Sequence, residues 1–224
     1  TTIKVGTLKL GASGTIAGST AIIVGDGGSS GTVLDTTDKT GFTILKTQTL
    51  KGIGNVNVGM GKTLTIEGKH SVGNVGTDGG VGTQAVTGNL SYASESIFEW
   101  DLNANSTTTG FDKVSATGTV AVSTTATVFK VIFGTTALTG VQDLGNTFWN
   151  TAFGTQEWSM ATIFGQGLQS GSQFATVETS NDVSAYGSFT INGSNLTWTA
   201  VPEPSSALAG LLITAGLLRR RRVA

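Results

Sequence analysis

The sequence predicts an all-β chain, and three observations support that prediction. Of the 224 residues 33 are Gly, only 2 are Pro and just 12% are charged, a composition typical of strands joined by tight turns. Short alternating runs such as Thr63-Leu64-Thr65-Ile66 recur along the chain, separated by Gly-rich segments such as Gly25-Asp26-Gly27-Gly28. No convincing stretch of helical period occurs before the last two dozen residues.

Residues 1–125 fit two all-β arrangements. One is a parallel β-helix, in which each coil stacks its inward Val, Ile and Leu side chains on the next coil. The other is a β-sandwich or barrel. The runs here are very short, Gly and Asn corners are dense, and proline is absent. These features favour a β-helix repeat region over residues 1–125.

Residues 126–200 have a different composition, with longer strand-like runs such as Thr127 to Phe133. We predict either the C-terminal end of the β-helix or a small sandwich-like β cap, because a solenoid needs its last coil covered. Asn192-Gly193 lies between two alternating runs and predicts a hairpin. The segment from Thr147 to Gly165 has room for one short helix. The aromatic residues that concentrate in this region are Phe129, Phe133, Phe148, Trp149, Phe153, Trp158, Phe164, Phe174, Tyr186, Phe189 and Trp198.

The last segment, residues 201–224, has three consecutive parts. Val201-Pro202-Glu203-Pro204 comes first, an apolar run from Ala207 to Leu218 follows, and Arg219 to Arg222 are the only arginines of the chain. A helix over about 205–218 would be about 21 Å long, short of the roughly 30 Å hydrocarbon core. We therefore predict a transmembrane helix with marginal retention, whose arginines lie in the cytoplasm while the body lies outside.

This segment resembles the PEP-CTERM sorting tail of Gram-negative bacteria, which a membrane enzyme called exosortase recognises. The resemblance implies that Pro202, Glu203 and Pro204 are the sorting motif and that Arg219, Arg220, Arg221 and Arg222 are the membrane stop. It also implies cleavage near the motif and release to the cell surface or the exopolysaccharide matrix. The alternative is a C-terminal membrane anchor that is never processed.

The body also resembles a known family. An L-x-G-x-G run, a G-x-T-L-x-I run, a Gly-rich patch and Ser94 to Asn103 (SESIFEWDLN) follow one another. This order, over about residues 42–122, resembles the autotransporter-associated β-strand repeats and implies a right-handed β-helix. An autotransporter passenger would need a C-terminal barrel, whereas this chain ends in Arg-Arg-Val-Ala, so we expect another delivery route.

Because the chain starts at Thr1-Thr2-Ile3, we expect a truncated precursor whose export signal lies upstream.

Motifs for catalysis or metal binding are weak. The only His is His70, which we predict to be a surface imidazole, and without Cys this excludes His- or Cys-based zinc sites. Gly27 to Gly31 matches G-x-S-x-G, but extended chain follows where a nucleophile elbow needs a helix. Gly79 to Gln84 is a defective calcium repeat. The turn acids are better explained as solvated side chains than as Ca²⁺ ligands; they are Asp26, Asp35, Asp38 and Asp78. We expect no metal, cofactor or enzymatic activity.

Two pairs of residues are candidates for contact with sugars. Glu99 and Asp101 flank Trp100, and such a carboxylate pair can cut a glycosidic bond, but the favoured interpretation is the solvent face of a strand with Trp100 inward. Trp149 and Trp158 are the best candidates for sugar stacking, but the favoured interpretation is that both are core residues. Without the four arginines the remaining 9 basic and 14 acidic residues give a charge of −5, so we expect no nucleic-acid partner.

The function expected from the sequence is that of an exported structural or adhesive protein of the cell surface or exopolysaccharide matrix, as in a biofilm. It would be transiently anchored in the inner membrane of a Gram-negative bacterium. Its expected partners are an exosortase-type processing enzyme, the bacterial membrane and exopolysaccharide. The alternative is a surface-displayed carbohydrate-binding or polysaccharide-degrading β-helix protein.

Overall fold

The computed structural model describes residues 1–26, 31–73, 80–150 and 155–201. It is 43% strand and 7% helix, which confirms the all-β class. None of the helices in these ranges is long and apolar enough to cross a membrane. The sorting motif, the apolar helix and the arginine stop predicted for residues 202–222 lie outside the described residues, as does Gly27 to Ser30 of the G-x-S-x-G match.

The elements of the described ranges follow in chain order. The strands are β1 (Thr2–Ile3), β2 (Thr7–Lys9), β3 (Ala21–Val24), β4 (Val33–Asp35), β5 (Phe42–Ile44), β6 (Thr49–Gly52), β7 (Asn55–Asn57), β8 (Thr63–Ile66), β9 (Lys69–Val72), β10 (Thr83–Thr87), β11 (Asn89–Tyr92), β12 (Ile97–Leu102), β13 (Lys113–Ala116), β14 (Val120–Val122), β15 (Val128–Phe133), β16 (Thr155–Ser159), β17 (Thr176–Thr179), β18 (Gly187–Asn192) and β19 (Asn195–Ala200). The helices are α1 (Thr135–Gln142) and α2 (Met160–Phe164).

Most of these strands form parallel sheets. Within the described residues one sheet has seven strands in the order β1-β3-β6-β9-β12-β15-β17, a second has five in the order β13-β10-β7-β4-β2, and a third has four in the order β14-β11-β8-β5. From β3 to β14 consecutive strands join the seven-, five- and four-stranded sheets in turn, so every third strand returns to the same sheet. The crossover that parallel pairing requires is therefore made by the strands of the other two sheets.

The paired strands lie in register, so the inward-facing side chains of successive strands stack in columns. In the seven-stranded sheet Ile22, Leu50, His70, Phe98 and Phe129 are successive partners and all are fully buried. Their neighbours along each strand face outward, because successive side chains of a strand point to opposite faces. The core thus lies between the three sheets, and the outward positions are half-buried or exposed.

The corner between the seven- and five-stranded sheets needs a residue without a side chain. Gly52 has φ +104°, and a Cβ there would lie 2.1 Å from the Val24 carbonyl oxygen of the preceding coil-like segment. Gly54 donates its N–H to that same oxygen at 2.8 Å. Neighbouring chain segments approach each other closely at this corner because Gly removes the steric obstacle.

Residues 126–200 contain both an extension of the parallel sheet and a separate antiparallel sheet. Strands β15 and β17 extend the seven-stranded parallel sheet, whereas β16, β19 and β18 form a separate antiparallel sheet. The predicted hairpin is confirmed as β18–β19, where Asn192 pairs with Asn195 and Gly193 has φ +57°. Helix α2 lies within the segment in which one short helix was expected, while α1 was not predicted.

Candidate functional site

The two tryptophans proposed for sugar stacking are core residues. Trp149 and Trp158 are fully buried, with ring centroids 5.9 Å apart. The indole N–H of Trp149 donates to Asn105 Oδ1 at 2.6 Å, and that of Trp158 donates to the Ser106 carbonyl oxygen at 3.0 Å. The sugar-stacking prediction is therefore wrong, because neither ring has a free face and the loop after β12 satisfies both polar atoms.

The buried tryptophans join the antiparallel sheet to the end of the parallel sheets. Trp158 packs edge-on against Trp100 of β12 at 5.8 Å, and Trp149 packs against Trp198 of β19 at 5.4 Å. The Trp198 indole N–H donates to the Trp149 carbonyl oxygen at 3.0 Å. Aromatic contacts of this kind add to the free energy gained from area burial, so these rings hold the antiparallel sheet onto the core.

Glu99 and Asp101 lie on the outer face of the seven-stranded sheet, and Trp100 between them is fully buried. This confirms the amphipathic-strand interpretation. Glu99 Oε1 lies 2.8 Å from Lys69 Nζ and 3.8 Å from Lys130 Nζ. Lys130 of β15 is the direct cross-strand partner of Glu99 and Lys69 of β9 is its diagonal neighbour, so the glutamate offsets lysine charge on both sides.

Asp112 is a buried acid that the sequence did not single out. Its carboxylate accepts the backbone N–H of Gly82 at 2.8 Å and that of Asp101 at 3.0 Å. Burial, and secondarily the charge of Asp101, raise the pKa of Asp112 well above the usual range, while those two N–H groups oppose the rise. Asp112 thus links the segment before β10 to the end of β12, and it has no exposed surface.

His70 is fully buried, so the prediction of a surface imidazole is wrong. It lies in the inward column of the seven-stranded sheet between Leu50 and Phe98. Its Nδ1 is 2.7 Å from the Tyr92 hydroxyl, and its Nε2 is 2.7 Å from Gln84 Oε1. Tyr92 and Gln84 are inward residues of the four- and five-stranded sheets. One polar chain therefore crosses the core and connects all three parallel sheets.

The hydrogen bonds of Gln84 determine where the protons of this chain lie. Its Nε2 donates to the carbonyl oxygens of Lys51 at 3.2 Å and Gly52 at 3.1 Å, so its Oε1 is the atom that faces His70. His70 Nε2 must then carry a proton and donate, and Nδ1 must accept from the Tyr92 hydroxyl. The imidazole is neutral in this arrangement, with both nitrogens satisfied.

Burial keeps this chain uncharged. It lowers the pKa of His70 to about 4, against the smaller opposing effect of the hydrogen bond to Gln84, and it raises the pKa of Tyr92 well above its usual range. The His70 ring is fully buried, so we assign a structural role to the hydrogen-bonded side chains of Tyr92, His70 and Gln84. The alternation of polar and apolar residues around His70 is the sequence feature that could have placed it inside.

A groove of about 410 Å³ lies at the C-terminal edge of the seven-stranded sheet. Its walls are the end strand β17, the turn at residues 182–184 and the start of β18. Glu178 and Asp182 supply two carboxylates to it. Asp182 Oδ1 accepts from the hydroxyl and N–H of Ser184 at 2.7 and 3.0 Å, which lowers the pKa of Asp182. Within the described ranges no group of three or more metal-ligating side chains is present.

Comparisons with known proteins add no family or relative. Neither a protein-family model, nor a curated protein, nor a solved structure matches this chain. The functional conclusion therefore depends on the residues of the chain and their geometry.

Proposed function

We propose that this chain is an exported, non-enzymatic structural protein of the cell surface or exopolysaccharide matrix. Its body would be a right-handed parallel β-helix, capped by the antiparallel sheet β16-β19-β18. The return of every third strand to the same sheet, in register, supports the stacked-coil arrangement. The order of sorting motif, apolar run and arginine block at residues 202–222 is the observation that carries the proposed delivery route.

Stacked coils suit a mechanical function. The interior columns are buried, and from β3 to β14 each turn of three strands is hydrogen-bonded to the next along three sheets, so the body would be stiff and resistant to proteolysis. The outer faces are polar and weakly charged, as in the row formed by Thr43, Thr65 and Ser91 on the four-stranded sheet. Hydroxyl rows of this kind suit contact with hydrated exopolysaccharide.

The described side chains give little support to the carbohydrate-active alternative. The tryptophans proposed to stack on sugars are buried, and Glu99 is ion-paired with Lys69 and Lys130. The only histidine is enclosed between Tyr92 and Gln84. We therefore keep the non-enzymatic function, with an exosortase-type membrane enzyme as the processing partner and the tail helix as the transient inner-membrane anchor.

Three variants in the native host test the sorting role. The double substitution Pro202→Ala/Pro204→Ala should leave uncleaved protein in the inner membrane, because the helix and arginines still retain it while the motif is lost. Deletion of residues 201–224 should abolish both membrane retention and surface delivery. Ser205→Ala, next to the motif, is the matched control and should behave as the parent. The measurement is fractionation followed by immunoblotting, and unchanged retention and surface delivery after the deletion would sink the proposal.

A further inference from the structure

One turn between the parallel sheets is shorter than the turns on either side of it. Each strand of the four-stranded sheet is followed by a turn that leads to the seven-stranded sheet. Four residues, 45–48, lie between β5 and β6, and four, 93–96, lie between β11 and β12, but only Glu67 and Gly68 lie between β8 and β9. The two longer turns project on either side of the short one, and a notch lies between them.

The notch has a volume of about 240 Å³, and its walls are residues 46–49, 67–69, 95 and 97. Gly68 is buried and lies against the first long turn, since a Cβ there would be 2.3 Å from the carbonyl oxygens of Leu45 and Gln48. Gln48 fixes that turn, because its Oε1 accepts the Leu45 N–H at 3.0 Å and its Nε2 donates to the Ser19 carbonyl oxygen at 2.8 Å. The shape of the notch is therefore set by the backbone and by a buried glutamine.

An exposed ion pair spans the notch. Lys46 Nζ of the first long turn contacts Glu95 Oε2 of the second, 49 residues further along the chain. The two side chains are 64% and 61% exposed, and ion pairs as exposed as this contribute little to stability. A ligand that enters the notch can therefore replace this contact at little cost.

Glu95 has a backbone conformation that does not favour its side chain. Its φ is +67°, which strains any residue with a β-carbon and suits glycine. The following turn has Ala126 at φ +55° in the same place, and in both turns the hydroxyl of the next residue, Ser96 or Thr127, donates to the first carbonyl oxygen of the turn. The turn thus requires the positive φ but not a glutamate, which points to a function for the carboxylate itself.

The charged groups of the notch are both donors and acceptors. Lys46 and Lys69 carry ammonium donors, and Glu67 and Glu95 carry carboxylate acceptors. Among the described residues Glu67 makes no ion pair, so its oxygens are available to a ligand. Glu99 lies 2.8 Å from Lys69, so two ammonium groups and three carboxylates surround the notch and give it a net charge of −1.

This set of groups selects the chemistry of the ligand. The hydroxyls of a sugar both donate and accept, so they can satisfy carboxylates and ammonium groups at once. The net negative charge disfavours a sugar that carries a carboxylate. The volume lies below the roughly 300–1,000 Å³ of sites for drug-sized ligands, which suits a single ring.

We propose that this notch binds one neutral hexopyranose unit of a polysaccharide. Glu67 and Glu95 accept hydrogen bonds from the sugar hydroxyls, and Lys46, released from Glu95, donates to a sugar oxygen. No wall residue is aromatic, so the affinity comes from polar contacts and is weak, with a dissociation constant of about 1–10 mM. The inference rests on the proposed matrix function, for which it names the sugar class and the site.

Saturation-transfer NMR on the full chain tests the site, in a detergent whose headgroup is not a sugar. The neutral probes are the methyl pyranosides of glucose, galactose and mannose, and the charged probe is the methyl glycoside of glucuronic acid. At least one neutral glycoside should bind, and it should bind more tightly than the glucuronide. Glu67→Gln and Glu95→Gln should each weaken this binding by about tenfold, because each removes a charged acceptor.

Asp38→Asn is the matched control. It also removes an acid from an exposed ion pair, with Lys9 at 3.1 Å, but outside the notch, so this variant should bind sugar as the parent does. Lack of binding by all three neutral glycosides, tighter binding of the glucuronide, or equal binding by the parent and both glutamate variants would overturn the proposal. None of these results changes the fractionation that tests surface delivery, so the sugar site and the proposed function can fail separately.

Discussion

Gly52→Ala is expected to destabilise the protein by about 2–5 kcal/mol, or to prevent folding altogether. The new Cβ would lie 2.1 Å from the Val24 carbonyl oxygen, at a residue with φ +104°. The substitution thus combines the backbone strain of a positive φ, about 1–2 kcal/mol, with an overpacking cost of about 1–3 kcal/mol. Urea denaturation followed by tryptophan fluorescence measures the free energy of unfolding.

Gly61→Ala is the matched control for this prediction. Gly61 also has a positive φ, +74°, but a Cβ there has no neighbour within 4 Å. Its cost should be limited to the strain of about 1–2 kcal/mol. Equal losses in the two variants would mean that backbone strain alone governs Gly52 and that the close approach of neighbouring chain segments at this corner contributes nothing.

Breaking the buried polar chain at His70 is expected to have the next largest effect. His70→Phe preserves a planar ring but leaves the Tyr92 hydroxyl and Gln84 Oε1 without their partner. Each buried group left unsatisfied costs about 1–3 kcal/mol, so the free energy of unfolding at pH 7 should fall by about 2–6 kcal/mol. The triple variant His70→Phe/Tyr92→Phe/Gln84→Met removes all three polar side chains and should recover part of this loss.

The buried His70 also makes the free energy of unfolding depend on pH. The folded-state pKa of His70 is about 4, below the ordinary value of about 6.5, so the unfolded chain takes up the proton first as the pH falls. The stability contributed by the neutral ring is complete above about pH 6.5 and is lost progressively down to about pH 4, a loss of roughly 3 kcal/mol. Below that pH this contribution stays constant.

Asp112 acts in the opposite direction and has to be separated from His70. Its raised pKa means that the folded state holds its proton more tightly, so its contribution weakens as the pH rises. The difference between the parent and His70→Phe cancels the contribution of Asp112 and isolates that of His70. This difference should shrink between pH 6.5 and 4, and a difference that stays constant over that range would contradict the assignment.

The local features of the strands could be predicted from the sequence. Alternation placed Trp100 inward with Glu99 and Asp101 outward, and turn chemistry located the β18–β19 hairpin, because both depend on residues close together in the chain. Alternation along β9 could also have placed His70 inside, but the partners of its ring could not be identified in that way. Its partners lie 14 and 22 residues further along, in two other sheets, and only the register of those sheets brings them together.

Helix α1 shows a second reason why sequence reasoning falls short. Its residues, TTALTGVQ, have weak helix propensity, and its N-cap Gly134 makes no side-chain cap. The cap comes instead from Asn103, whose Oδ1 accepts the N–H of Thr136 at 3.2 Å from 33 residues away. Ala137, Gly140 and Val141 are buried, so tertiary contacts rather than local preference stabilise this helix.

The central claim is that a β-structured body works outside the cell after its C-terminal segment has been removed. The intact mass of the protein, measured separately from inner membrane, outer envelope, growth medium and cytosol, tests it most directly. We predict a species retaining residues 201–224 in the inner membrane and a species shortened near Pro202–Pro204 at the surface and in the medium. Protein with residues 201–224 intact, dissolved in the cytosol and free of lipid, would contradict the claim.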